Sequence, residues 1–154
     1  MTTLEMGQLA PEFRLRGPAG QWVTLSEYRN EKHVVLVFFP LAFSPVCSHQ
    51  LPDLQKRVPE MEALGATVFG VSVDSHYANE AFARSLNLTF PLLSDFKRQA
   101  MTAYGVLNTE LGRSERAIFV IDKNGHIAYS DVSPNADQVP SIDRVIEALR
   151  RLKG

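Results

Sequence analysis

Apolar and polar positions follow one another along the chain in patterns that predict its elements in turn. Phe13-Arg14-Leu15-Arg16 and Trp22-Val23-Thr24-Leu25 alternate on either side of Gly17-Pro18-Ala19-Gly20. That predicts an antiparallel hairpin closed by a loop rather than by a two-residue turn. Val34–Phe39 is an unbroken run of β-branched, aliphatic and aromatic residues, the pattern of a strand buried on both faces. From Ser48 to Leu64, apolar side chains recur at Leu51, Leu54, Val58, Met61 and Leu64, spacings of three and four that predict a helix with one apolar stripe. Ala66–Val73 reads as a second buried strand. His76–Leu86 reads as a helix, Phe90–Leu93 as a short strand or edge segment, and Lys97–Tyr104 as a helix ended by Gly105. Arg116–Ile121 and His126–Ser130 flank Asp122-Lys123-Asn124-Gly125. The Asn-Gly pair predicts that these two strands pair antiparallel. Ile142, Val145, Ile146, Leu149 and Leu152 define a closing amphipathic helix.

Alternating βα units imply a parallel core sheet with helices on both faces. The terminal antiparallel pair makes that sheet mixed. The expected fold is therefore α/β and thioredoxin-like: a central mixed β-sheet flanked by helices, with the N-terminal β-hairpin as an extension. Proline and glycine are spread along the chain, and no repeat or linker interrupts it, so one domain over residues 1–154 is expected.

Composition removes several function classes. Net charge is −1 and charged residues make up 21% of the chain, so no basic stripe points to nucleic acid or to a membrane surface. No apolar run approaches the roughly 20 residues of a spanning helix. The N-terminal residues lack the basic-then-apolar pattern of a secretory signal. Four scattered histidines and one cysteine do not make a metal-ligand spacing, and no glycine-rich phosphate loop is present, so no cofactor is expected. A single cysteine cannot form an intramolecular disulfide, which suits a reducing, cytoplasmic setting.

That cysteine, Cys47, follows the end of the first buried strand. Ligands in open α/β sheets sit at such carboxyl ends. Ser44 reads as the N-cap and Pro45 as the first position of the following helix, which places Cys47 in its first turn. The partial positive charge of a helix N-terminus favours a thiolate there. Pro40 ends the strand and helps hold the loop over the thiol. Pro52 and Pro59 fall within the helix and predict a kink or a broken turn near Pro52. Arg116 opens a buried strand, where a charge belongs only if it is paired or at the rim. If that strand lies beside Val34–Phe39, Arg116 reaches the rim that carries Cys47. Arg113, in the expected loop Gly112–Glu115, is the competing cation.

The segment Pro40-Leu41-Ala42-Phe43-Ser44-Pro45-Val46-Cys47 resembles the Pro-x-x-x-Thr/Ser-x-x-Cys motif of the peroxiredoxin family, most closely its one-cysteine alkyl hydroperoxide reductase E type. Gly70–Ser75, Phe90–Asp95, Ala103–Val106 and Arg116–Gly125 are similar to that family in the same order. The resemblance implies a peroxidatic Cys47. It makes Pro40 and Ser44 the loop residues that shield the sulfur and hydrogen-bond the peroxide, and Arg116 the arginine that stabilises both thiolate and peroxide. Three departures stand out: Ser44 where Thr is commoner, Gln50 where many relatives carry Glu, and Pro52 where a resolving cysteine would stand.

The implied activity is reduction of hydrogen peroxide, organic hydroperoxides or peroxynitrite through a Cys47 sulfenic acid. With no second thiol in the chain, an external thiol or a redoxin must regenerate it. Family members commonly associate near the active-site loop, which implies a homodimer. The alternatives are a redox-sensing thiol module and a thiol–disulfide oxidoreductase, although the latter usually carries Cys-x-x-Cys where this chain has Ser48-His49-Gln50. A cysteine hydrolase would need a histidine partner. His49, two residues along the same helix, points to a different side from Cys47.

Overall fold

The computed structural model describes residues 4–133 and 138–152. The N-terminal hairpin is β1 (Arg14–Arg16) against β2 (Trp22–Thr24), with one turn of 3-10 helix at Pro18–Gly20 between them. The alternating part follows as β3 (His33–Phe38), α1 (Cys47–Ala63), β4 (Ala66–Ser72), α2 (His76–Ser85), β5 (Leu92–Ser94) and α3 (Gln99–Ala103). A small ladder of β6 (Leu107–Asn108) and β7 (Arg113–Ser114) comes next. The hairpin β8 (Ala117–Ile121) and β9 (Ile127–Val132) and the closing α4 (Ile142–Leu152) complete the chain.

Seven strands form one mixed sheet in the order β2-β1-β5-β4-β3-β8-β9. The β3–β4 and β4–β5 pairs are parallel, and the β3–β8, β8–β9, β1–β5 and β1–β2 pairs are antiparallel. The unbroken apolar run of β3 has the meaning its pattern predicts. Val34, Leu36 and Phe38 enter the core on one face, while Val35, Val37 and Phe39 enter the core on the other. The stripes of α1 and α4 and Phe82 of α2 cover the second face, and Ala100 and Met101 of α3 lie on the first. This is the thioredoxin-like architecture expected from the sequence.

The N-terminal hairpin extends the main sheet, since β1 pairs with β5 at Arg16 and Ser94. Two expectations need correction. The stretch read as a loop around Gly112–Glu115 contains β7, which is too short to show a period. The turn before it is held by the Asn108 side chain, whose Oδ1 accepts the N–H groups of Glu110 and Leu111. Of the kink or broken turn expected near Pro52, the broken turn does not occur: α1 runs as one element through both prolines. Leu51, Leu54, Val58 and Met61 are all buried along it. Burying four such side chains is worth about 1.5–3 kcal/mol each, enough to offset about 3 kcal/mol for each of the two interior prolines.

Helix α3 starts two residues later than its sequence suggests. Arg98 adopts a left-handed conformation (φ 61°), which delays the helix to Gln99. Asp95 receives the exposed helix start: Oδ1 accepts from Ala100 N at 3.0 Å and Oδ2 from Met101 N at 2.8 Å. Burial pushes its carboxyl above the usual carboxylate range, against the pull of those donors.

The register that matters for the site is β3 against β8. Phe38 stands opposite Ala117. The residues just past one strand's end and just before the other's start therefore share a rim of the sheet.

Candidate active site

Phe39 N donates to Val71 O at 3.0 Å, and Phe39 O accepts the Ser114 hydroxyl at 3.1 Å. The chain then leaves the sheet at Pro40, which is buried and carries no donor to continue the ladder. Residues 41–44 form a turn in which Phe43 takes a positive φ of 66° and packs its ring, tilted by 52°, with its centre 4.9 Å from that of Phe82. Helix α1 begins at Cys47, whose N–H is among the donors that a helix start leaves without an intrahelical partner.

Cys47 is fully buried, and Arg116 and Gln50 are 2% and 3% exposed. Arg116 Nη1 donates to Cys47 Sγ at 3.1 Å and to Gln50 Oε1 at 2.5 Å. The condition set for Arg116 by the sequence is met, since its strand does lie beside β3. Arg113, the competing cation, sits in β7 and makes no contact with the sulfur among the described residues. The guanidinium and the helix N-terminus both place positive charge beside the sulfur. Gln50 supplies a neutral acceptor that holds the guanidinium without neutralising its charge. A carboxylate at the same place would compete with the sulfur for the positive charge.

Ser44 differs from expectation in its hydrogen bonding. No side-chain cap closes α1. The Ser44 hydroxyl instead donates to Leu41 O at 2.9 Å, while its carbonyl accepts both Ser48 N (3.0 Å) and the Ser48 hydroxyl (2.9 Å). The turn at Pro45 and Val46 delays the helix to Cys47, so Cys47 is its first residue and not its third. With its proton donated to Leu41 O, Ser44 Oγ keeps only acceptor capacity. His49 is exposed, and no described hydrogen bond joins it to Cys47, so the hydrolase arrangement is absent among the described residues.

One residue important to the loop was not singled out from the sequence. Asp74, just beyond β4, accepts the Ala42 N–H at Oδ2 (2.8 Å), and the same oxygen lies 2.9 Å from the Ser72 hydroxyl. The Asp74 carbonyl accepts from Ser94 Oγ at 2.7 Å. The loop that carries Ser44 to Cys47 is thereby tied to the ends of two neighbouring strands. Asp74→Ala frees the Ala42 N–H and should slow peroxide reduction about ten- to a hundredfold through misplacement of the loop. Asp74→Asn keeps an acceptor and should recover most of the rate. Stopped-flow peroxide kinetics on the two variants check this; a wild-type rate in Asp74→Ala would remove the loop tie from the chemistry.

The chain belongs to the AhpC/TSA family, whose pattern matches residues 6–130. It is a peroxiredoxin, a thiol-dependent peroxidase. Alkyl hydroperoxide reductase E of Mycobacterium bovis is 40% identical over 131 residues, covering 84% of this chain and 86% of the relative. Peroxiredoxin 2 of Thermoplasma acidophilum is 31% identical over 154 residues, covering 96% of this chain and 76% of the relative. Among solved structures, Mycobacterium bovis AhpC superposes with a TM-score of 0.87 at 29% identity, over 100% of this chain and 95% of its own. A peroxiredoxin-like protein from Aquifex aeolicus gives 0.89 at 29% identity, over 99% and 90%. Among the described residues no helix is long and apolar enough to cross a membrane, and no cluster of potential metal ligands occurs.

Proposed function

We propose that Cys47 is the peroxidatic nucleophile of this peroxidase and that it works without a second cysteine in the chain. The observation that carries this reading is the 3.1 Å contact from Arg116 Nη1 to the sole, buried thiol. The Cys47 thiolate attacks one peroxide oxygen in line with the O–O bond. An S–O bond forms, the O–O bond breaks, and the leaving oxygen takes up a proton to depart as water or an alcohol, or departs within nitrite when the substrate is peroxynitrite. Arg116 and the Cys47 N–H stabilise the charge growing on that oxygen, a preorganised effect worth about 3–4 kcal/mol per strong donor. Ser44 Oγ accepts the peroxide O–H and orients it. Pro40 keeps the loop packed over the sulfur, so bulk water does not compete for the thiolate.

The sulfenic acid left on Cys47 is the reversible first oxidation state. Two equivalents of an external thiol, or one reduced redoxin, return it to the thiol with release of water and a disulfide. Hydrogen peroxide, organic hydroperoxides and peroxynitrite all present the O–O bond this chemistry needs. A cytoplasmic setting supplies the reductant. The exposed aromatics Phe43 (57% exposed) and Tyr77 (74%) support a homodimer formed near the active-site loop. The test is steady-state peroxide consumption with a supplied thiol, followed by mass spectrometry after one equivalent of peroxide. Catalytic turnover with a single-oxygen adduct on Cys47 is expected. Stoichiometric oxidation without turnover would leave a redox-sensing module instead.

A further inference from the structure

A groove of about 500 Å³, within the range of small-molecule sites, opens between the β1–β2 hairpin and the loops that follow β4 and β5. Neither Cys47 nor Arg116 lines it. Arg14 and Arg16 project from the same face of β1, opposite to Leu15, which enters the core. Trp22, directly across from Arg16, lies under both: the two guanidinium carbons are 4.3 and 4.2 Å from a Trp22 ring centre. Neither guanidinium is paired with a carboxylate among the described residues. Arg16 donates to Gly20 O, a neutral acceptor.

The far wall adds Lys97 and Phe96, both exposed, with Phe96 at 64%. His76 completes the lining; its Nδ1 is enclosed and without a partner, so no hydrogen bond there fixes the ring. The acid in the lining, Asp95, is 1% exposed and has both oxygens engaged by the start of α3. The groove therefore sets three cations around two exposed aromatic rings, with no free negative charge to balance them.

Two like charges held on one ring repel each other, and an anion between them relieves that repulsion. Trp22 and Phe96 offer flat apolar surface to whatever carries the anion. We propose that this groove is a binding site for an organic anion on a flat apolar body, an aryl carboxylate, sulfonate or phosphate. The proposal is separate from the peroxidase reading, and Cys47→Ser should bind the same ligand equally well.

Trp22 is the sole tryptophan of the chain, so its emission reports on the groove directly. The probe is benzenesulfonate, titrated into the full-length protein with excitation at the red edge of tryptophan absorption. A saturable change in emission is expected, with methanesulfonate and benzyl alcohol each at least about tenfold weaker. Calorimetry on the Arg14→Gln/Arg16→Gln double variant should show affinity reduced at least about tenfold, and peroxide reduction should be unchanged. Lys97→Gln, on the facing wall and outside the hairpin, should weaken binding in the same direction and keeps the test valid if the double variant fails to fold. Equal binding of methanesulfonate would reduce the groove to a patch of positive charge, and equal binding of benzyl alcohol to a greasy surface. Unchanged affinity in both variants, or no binding because a second copy of the chain covers the groove, would equally overturn the proposal.

Discussion

Cys47→Ser should lose all catalysed peroxide consumption, leaving only the background rate of the supplied thiol. The chain has one thiol, and the proposed chemistry has no other nucleophilic sulfur on which to form the S–O bond. Serine is close in shape, and its hydroxyl can accept the hydrogen bond that Arg116 gives to sulfur, so the fold should survive the change. Thermal unfolding should move little, since neither a cavity of consequence nor an unpaired guanidinium is created. The control matters because Cys47 belongs to the buried core that packs α1 on the sheet. A variant that unfolds would lose activity for an unrelated reason. The decisive pair of measurements is peroxide consumption and the melting curve on the same preparation. Turnover retained by a folded Cys47→Ser protein would end the one-thiol mechanism. In the wild-type protein, excess peroxide without thiol should drive Cys47 past sulfenic to sulfinic acid, with loss of activity that a thiol does not restore.

The sheet was readable in the sequence because its strands carry the strongest signal. β3 and β4 are continuous β-branched and aromatic runs, and the Asn-Gly turn announced the β8–β9 hairpin. The pairing of β1 with β5 was not readable, since one bridge at Arg16 leaves no trace in a pattern of alternation. Of the candidate site residues, the placement of Cys47 and Arg116 was legible in geometric terms. Cys47 was marked by being alone at a strand end, and Arg116 by being a charge at the mouth of a buried strand. Both inferences used burial, which the sequence encodes. The Ser44 hydrogen bond was misread because two partners compete for one hydroxyl: the N–H donors of the helix start, from which Oγ would accept, and Leu41 O, to which it donates. The outcome depends on a loop conformation with a positive φ at Phe43, where no glycine gives warning. Asp74 was passed over for a similar reason. Its partner is a backbone N–H thirty-two residues away, and backbone groups look alike at every position.

Arg116→Met should lower the second-order rate with peroxide by about two to three orders of magnitude, the loss typical of one preorganised transition-state donor. Two effects contribute. The first is loss of the positive charge 3.1 Å from the sulfur, next to the proposed nucleophile. The second is loss of a donor aimed at the leaving oxygen, felt only once the O–O bond stretches. Alkylation by iodoacetamide at neutral pH separates them, because it needs the thiolate and has no anionic oxygen to stabilise. If Arg116 acts in both ways, alkylation should slow less than peroxide reduction does. Equal losses would restrict Arg116 to charging the sulfur. Arg116→Lys retains a charge, but lacks the planar fork that serves sulfur and Gln50 from one group. It should restore alkylation more fully than peroxide reduction. Arg116→Met also leaves Gln50 Oε1, now buried, without this donor, which should cost about 1–3 kcal/mol of stability. Adding Gln50→Leu to Arg116→Met should return much of that stability and none of the peroxide rate, because the stability belongs to the pair and the rate to the cation. A peroxide rate within about threefold of wild type in a folded Arg116→Met protein would leave the helix N-terminus as the main support of the thiolate.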